Sequence, residues 1–300
     1  MSVPPSLIAV LRPRFGELSR VRSVSGGDTS AAVRARSVHA GEVFIKYSLG
    51  ASGQTYTAEV NGLTTLRAAV ERAGLTNVIV VPEPLAHAPP EGACPGYLVL
   101  PWLTTASATV ASWARFGKAL AVLHASGSET VDGYGWSRDN FLGPEPQANA
   151  PMASWVDFFR ERRLLAMAER MRERGWWLPR WDRMLTALSR KLDTLLPAAP
   201  PPALLHGDLW AGNAMALADG RFALIDPAVY VGHAEVDLAM TALFGGYPPA
   251  FYEGYGGAGQ REDGFAARRD LYQLYYLIMH LGVGPGYEGR VEATLRRYGG

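Results

Sequence analysis

The stretch Leu204–Met215 reads LLHGDLWAGNAM. An apolar pair leads into His-Gly-Asp, a tryptophan stands at 210, and an asparagine follows five residues after the aspartate. Phosphoryl transfer needs a group that orients the attacking hydroxyl, oxygen ligands for magnesium, and a cation on the phosphates of ATP. The spacing H-x-D-x-x-x-x-N provides the first two, and a further metal-binding aspartate follows a later strand. His206, Asp208 and Asn213 reproduce this spacing, and Asp226 ends the β-like run FALID thirteen residues past Asn213. The roles expected from this chemistry are Asp208 as acceptor of the hydroxyl proton, with Asn213 and Asp226 as hard oxygen ligands for Mg2+. A capping aspartate would explain HGD alone. It would not explain the asparagine and the strand-terminal aspartate that accompany it.

The cation is sought upstream. The chain has 29 basic residues, of which only Lys46, Lys118 and Lys191 are lysines. Lys46 lies inside the apolar run VFIKYS, where an unpaired charge would be costly to bury. It is expected to contact the phosphates and to pair with Glu59, early on the helix that follows. Glu71 shares that helix but lies near its C-terminal end, where an acid is electrostatically disfavoured. The Gly26-Gly27 turn joins two early β-like runs, and its glycines would permit close backbone approach to phosphate. Neither G-x-G-x-x-G nor G-x-x-x-x-G-K-[ST] occurs in the chain, so an ordinary hairpin explains the turn equally well.

Organisation supports the same reading. Residues 1–20 read as a short helix broken by Pro13. SRVRSV, SAAVRARSV and EVFIKYS then read as an antiparallel meander punctuated by Gly26-Gly27-Asp28 and His39-Ala40-Gly41. Residues 54–73 carry Val60, Leu63, Leu66 and Val70 at helical intervals, with Gly74 as C-cap. Two more β-like runs follow, NVIVVPEPLA and GYLVLPWL. Beyond Leu103 the periodicity is helical over 112–125, 154–174, 181–196 and 266–281. Three hundred residues exceed one small core. The expectation is an α+β, bilobal, protein-kinase-like fold: a small mixed lobe over 1–100 that binds nucleotide, and a larger helical lobe over 101–300 that carries catalysis and acceptor binding. Adenine is expected at the connector, near Leu98, Leu100 and Trp102.

These residues resemble the aminoglycoside-phosphotransferase-like branch of the protein-kinase-like fold, and within it the fructosamine-3-kinase family. HGDLWAGN is the form of the loop in that family, whereas many relatives in the wider group carry His at the place of Trp210. The resemblance extends to DPAVYVGHAEVDLAMTALFGG (226–246), YGWSRDNFLGPEPQAN (134–149), WVDFFRERRL (155–164), AEVNGL (58–63) and LYYLIMHL (274–281). It implies ATP-dependent phosphorylation of the 3-hydroxyl of a ketosamine, the Amadori product of a sugar and an amine, leading to deglycation. It also implies that Trp210 offers an apolar face to the sugar and that Asp237 braces the catalytic loop with His206. Asn140, Gln147 and Asn149 sit in a polar loop where acceptor binding and loop capping are equal alternatives, with Asn149 taken as the acceptor contact. His124 and His280 lie on apolar helices and read as structural. Some family members carry a cysteine in the glycine turn; Asp28-Thr29 stand there in this chain, so no thiol switch is expected.

Composition narrows the alternatives. With 48% hydrophobic residues, 19% charged residues and a net charge of +1, the chain has no global field for nucleic acid or membrane surface. One cysteine, Cys94, rules out an intramolecular disulfide framework, and a reducing, cytoplasmic setting fits. The N-terminus shows no charged-then-apolar leader, and no run reaches the ~18 apolar residues of a membrane span. A monomer is favoured. The alternatives kept open are another small-molecule kinase of the aminoglycoside, choline or homoserine type, and a nucleotide-binding pseudokinase scaffold.

Overall fold

The computed structural model describes residues 3–24, 30–48, 50, 54–126, 132–257 and 264–300. Gly26, Gly27, Asp28 and Thr29 lie outside the described residues. The chain opens with α1 (Pro5–Phe15), β1 (Leu18–Ser23), β2 (Ala31–Ser37), β3 (Gly41–Ser48), α2 (Thr55–Arg72), β4 (Ile79–Val80), β5 (Ala86–Ala88) and β6 (Gly96–Pro101). It continues with α3 (Val110–Ala125), β7 (Asn140–Leu142), β8 (Glu145–Gln147) and α4 (Trp155–Phe158), which runs through a π-helical stretch at 159–165 into α5 (Ala166–Glu173). Then follow α6 (Trp181–Leu195), β9 (Pro202–Leu205), β10 (Ala214–Ala216), β11 (Phe222–Leu224), β12 (Tyr230–His233), α7 (Glu235–Leu243), α8 (Pro249–Gly257), α9 (Phe265–Met279) and α10 (Glu288–Gly299).

The N-terminal part is built on a five-stranded sheet in the order β1-β2-β3-β6-β5. Its first three strands form the antiparallel meander that their alternation leads one to expect. Along β3, Val43, Ile45 and Tyr47 point to one face and are buried together with Leu7, Leu11 and Phe15 of α1. Phe44 and Lys46 therefore point to the opposite face, the period of two that every pleated strand imposes. Pro13 does not break α1, which continues through it to Phe15. A proline close to a helix end removes few hydrogen bonds, and burying Leu7, Leu11 and Phe15 at four-residue spacing outweighs the loss.

The β-like run NVIVVPEPLA is not one continuous strand. Only Ile79–Val80 forms a strand, and it pairs in parallel with β11 from the C-terminal part. Pro82 and Pro84 lack the amide that a ladder needs, so the run is interrupted before β5 begins at Ala86. The β4–β11 pairing thus ties the two parts together beside the catalytic segment.

Helix α2 buries Leu63, Leu66 and Val70 in the large core shared with the helical part. It approaches the segment after Asp226 so closely that a Cβ on Gly62 would stand 2.9 Å from Pro227 Cγ. Two short ladders position the catalytic residues: β9 with β12, and the hairpin β10–β11. Among the described residues no helix is long and apolar enough to cross a membrane.

Candidate active site

His206 begins where β9 ends, and the loop is fixed from below by one buried carboxylate. Asp237, in the first turn of α7, is fully buried. Its Oδ2 accepts the His206 amide at 2.8 Å, and its Oδ1 accepts the Gly207 amide at 2.9 Å. His124 Nε2 lies 3.2 Å from the same Oδ2, and His124 Nδ1 lies 2.8 Å from the Tyr255 hydroxyl. The Tyr276 hydroxyl donates to the Gly207 carbonyl at 2.8 Å. Gly207 has φ +82°, and a Cβ there would meet the Ala228 carbonyl at 2.1 Å, so only glycine passes. His206 Nδ1 accepts the Asp208 amide at 3.2 Å, which leaves Nε2–H to donate to the Ile225 carbonyl at 2.9 Å. Burial lowers the His206 pKa, so the ring stays neutral and serves as a bridge between the two aspartate segments.

The hairpin then brings the remaining polar groups together. Ala214 pairs with Leu224, so Asn213 and Asp226 flank the open end of one ladder. The Ile225 amide donates to the Asn213 carbonyl at 3.1 Å. Asn213 Nδ2 donates to the Asp208 carbonyl at 2.9 Å and to its Oδ2 at 3.2 Å, which leaves the Asn213 amide oxygen for another partner. Asp226 adopts a left-handed backbone, φ +50°, a conformation that costs about 1–3 kcal/mol and persists only where surroundings enforce it.

Lys46 joins the two parts of the molecule. Its Nζ stands 3.0 Å from Glu59 Oε2 and 2.7 Å from Asp226 Oδ1. Burial opposes the Lys46 charge, but the Asp226 and Glu59 carboxylates more than reverse this and hold its pKa above the lysine range. Burial also pushes Glu59 up, against the pull of Lys46. In Asp226 the ammonium at 2.7 Å overcomes the burial that would raise it, and the carboxylate is held low. Among the described residues no cation is in direct contact with Asp208, and Lys46 acts on it only from a distance. Burial first, then the facing Asp226 carboxylate, raise its pKa to about 8, only partly countered by Asn213. Glu71, the other acid of α2, is instead paired at the surface with Arg67.

The connector refines the nucleotide reading. Leu98 and Leu100 are buried and lie opposite Lys46 and Phe44, on the same face. The Trp102 amide is used by the Glu42 carbonyl at 3.0 Å, and the Arg34 guanidinium stacks 4.5 Å over its ring. Hydrogen-bonded pairs alternate along an antiparallel ladder. The Trp102–Glu42 bond therefore turns the Pro101 carbonyl and the Leu103 amide away from β3.

Trp210 is 40% exposed on the loop, with its ring laid over Gly212, so it is open to a ligand. Asn149 is not. It is fully buried, donates to the Arg138 carbonyl and Asn140 Oδ1, and accepts from the buried Arg163 guanidinium at 2.7 Å. With its amide thus consumed it cannot contact acceptor, and its role is to hold the 140–149 hairpin. Gln147 and Asn140 continue this network to the Ala228 and Val229 carbonyls, just past Asp226. Arg163, Tyr255 and Tyr276 were not found from sequence; each acts across a long separation and carries no local spacing signal.

The family profile described as fructosamine kinase matches residues 7–298. The chain belongs to the fructosamine kinase family. A protein of Synechocystis named probable ketoamine kinase is 38% identical over 255 residues, covering 85% of this chain and 82% of that one. A crystal structure from Thermobifida fusca, assigned to fructosamine-3-kinase, is 30% identical, covers 97% of both chains and superposes with a TM-score of 0.81. Aminoglycoside phosphotransferase APH(4)-Ia, at 17% identity and a TM-score of 0.63 over 97% of this chain, shows the wider fold. The bilobal, protein-kinase-like architecture and the identity as a phosphotransferase follow for this fructosamine kinase family member.

Proposed function

We propose that this chain transfers the γ-phosphoryl group of ATP to the 3-hydroxyl of a ketosamine, either free or on a protein lysine. The observation that carries the reading is the convergence of Lys46, Asp208, Asn213 and Asp226 beside the exposed face of Trp210. Relatives named ketoamine kinase and fructosamine-3-kinase support the acceptor class. Residues 1–100 are assigned to the nucleotide side and 101–300 to catalysis and the acceptor.

The donor set fits a magnesium ion. The Asp226 carboxylate and the Asn213 amide oxygen are hard ligands on one rigid hairpin, and Asp208 and Asp226 repel each other without a cation between them. Among the described residues no three His, Cys, Asp or Glu side chains form a cage, which suits an ion that keeps waters and phosphate oxygens. When bound, magnesium neutralises phosphate charge. Lys46, fixed by Glu59, holds the phosphates. Asp208, in the ionised form that a cation bound beside it would favour, accepts the proton of the 3-hydroxyl as that oxygen attacks the γ-phosphorus; the O–P bond to the β-phosphate breaks and ADP leaves. Trp210 covers the sugar face and excludes water.

The test is ADP release with fructosyl-, ribulosyl- and erythrulosyl-lysine. Turnover with at least one of these supports the reading. A preference for aminoglycosides, choline or homoserine reverses it, and nucleotide binding without transfer to any of them favours a scaffold.

A further inference from the structure

A row of aromatic rings leads away from the catalytic loop. Trp210 and Phe244 are 40% and 39% exposed, with ring centroids 6.5 Å apart and planes at 84°. Phe244 lies 5.0 Å from His280, and His280 lies 5.0 Å from Tyr287. The row is anchored to the site. Phe244 ends α7, the helix that carries Asp237, and the chain returns through Gly246, where a Cβ would stand 2.5 Å from Ala211 Cβ. His280 Nδ1–H donates to the Tyr276 carbonyl at 2.8 Å, and the Tyr276 hydroxyl holds Gly207. His280 and Tyr287 are half-buried, whereas Trp210 and Phe244 expose adjoining aromatic surface beside a reactive centre, the kind of patch that marks a binding surface.

We propose that this row is the subsite for the amine half of the acceptor, with the substrate nitrogen held as an ammonium against the faces of Trp210 and Phe244. The inference rests on the ketosamine reading. The nitrogen of a ketosamine is joined to C1, two carbons from C3, so it falls beside Trp210 when the 3-hydroxyl meets Asp208. A secondary amine is a cation at neutral pH, and the row presents aromatic faces to it. Ring faces attract such a cation by about 0.5–2 kcal/mol, without demanding one geometry. The carbons beyond the nitrogen run over His280 and Tyr287. The row therefore selects for the amine linkage while tolerating many substituents on it.

The experiment compares two acceptors with the same sugar and the same alkyl group, one linked through nitrogen and one through an ether oxygen. Phe244→Leu is expected to raise KM for the amine-linked acceptor about 2- to 30-fold, with kcat nearly unchanged, the range that one cation–π contact spans. KM for the ether is expected to stay within twofold, and Phe244→Tyr, which keeps the ring, to restore the amine-linked value. Tyr287→Leu is expected to weaken acceptors with long amine substituents and to spare N-methyl ones. Equal effects of Phe244→Leu on both acceptors, or none on either, overturn the subsite. Wild-type enzyme that phosphorylates neither acceptor overturns the ketosamine reading itself, and the subsite with it.

Discussion

Replacing Asp208 by asparagine should disable the enzyme and stabilise it. The Asp208 carboxyl is raised from 3.8 to about 8, first by burial and then by the facing Asp226 carboxylate. A folded-state pKa above the unfolded value means that ionisation opposes folding. The stability this group contributes is complete below the unfolded value and is lost as pH rises through the folded one. At about 1.4 kcal/mol per pKa unit, the full shift corresponds to roughly 5–6 kcal/mol. Asp208 borders the cleft and is only half-buried, so solvent screening reduces the cost to about 1–3 kcal/mol at pH 7.5. Asparagine removes the charge and can still accept from Asn213 Nδ2. For a chain of this size Asp208→Asn should raise Tm by about 2–6 °C at pH 7.5. The gain should shrink at pH 5, which lies much nearer the unfolded-state pKa, so that ionisation favours the unfolded chain far less there. In the same protein, kcat should fall by about 10²–10⁴-fold or more. Thermal melts at the two pH values, run beside ADP release, read both effects. A variant that melts at or below the wild-type temperature at pH 7.5 refutes the electrostatic strain. One that keeps near-wild-type turnover refutes the role as base.

Other substitutions probe the supporting contacts. Lys46→Met leaves Glu59 and Asp226 without their cation and should cost about 2–4 kcal/mol in urea unfolding at neutral pH; the penalty should narrow toward pH 5 as the carboxylates protonate. Unchanged urea stability at pH 7 would show that the triad is not coupled. Asp237→Asn places an amide NH2 against the amides of His206 and Gly207, and should destabilise by about 2–3 kcal/mol in the same assay. Gly207→Ala meets the Ala228 carbonyl at 2.1 Å in a left-handed backbone, and should lose about 3 kcal/mol or more together with activity. A soluble, active Gly207→Ala enzyme would contradict the described loop geometry.

What was legible in the sequence is what is local. His206, Asp208, Asn213 and Asp226 lie within one loop and one hairpin, so their spacing carries their chemistry. Lys46 and Glu59 are separated by one turn into a helix, and strand alternation with helical phase aligns them. The contacts that stayed hidden cross the fold: His124 reaches Asp237 over 113 positions and Tyr255 over 131. Asn149 misled because a polar loop residue reads the same whether it faces solvent or a buried arginine. Ladder parity gives the Trp102 amide to the Glu42 carbonyl, and no composition signal reports parity. Proline placement explains the two errors of element, one tolerated near a helix end at Pro13 and one fatal to a strand at Pro82 and Pro84.

The acceptor atom defines the reaction. Incubating the enzyme with Mg-ATP and a fructosyl or ribulosyl amine, then locating the new phosphate by phosphorus–proton correlation in NMR spectra, tests it most directly. A phosphate on O3 is expected, and none in the Asp208→Asn control. Phosphate on another hydroxyl, or transfer only to acceptors without the ketosamine group, would contradict it.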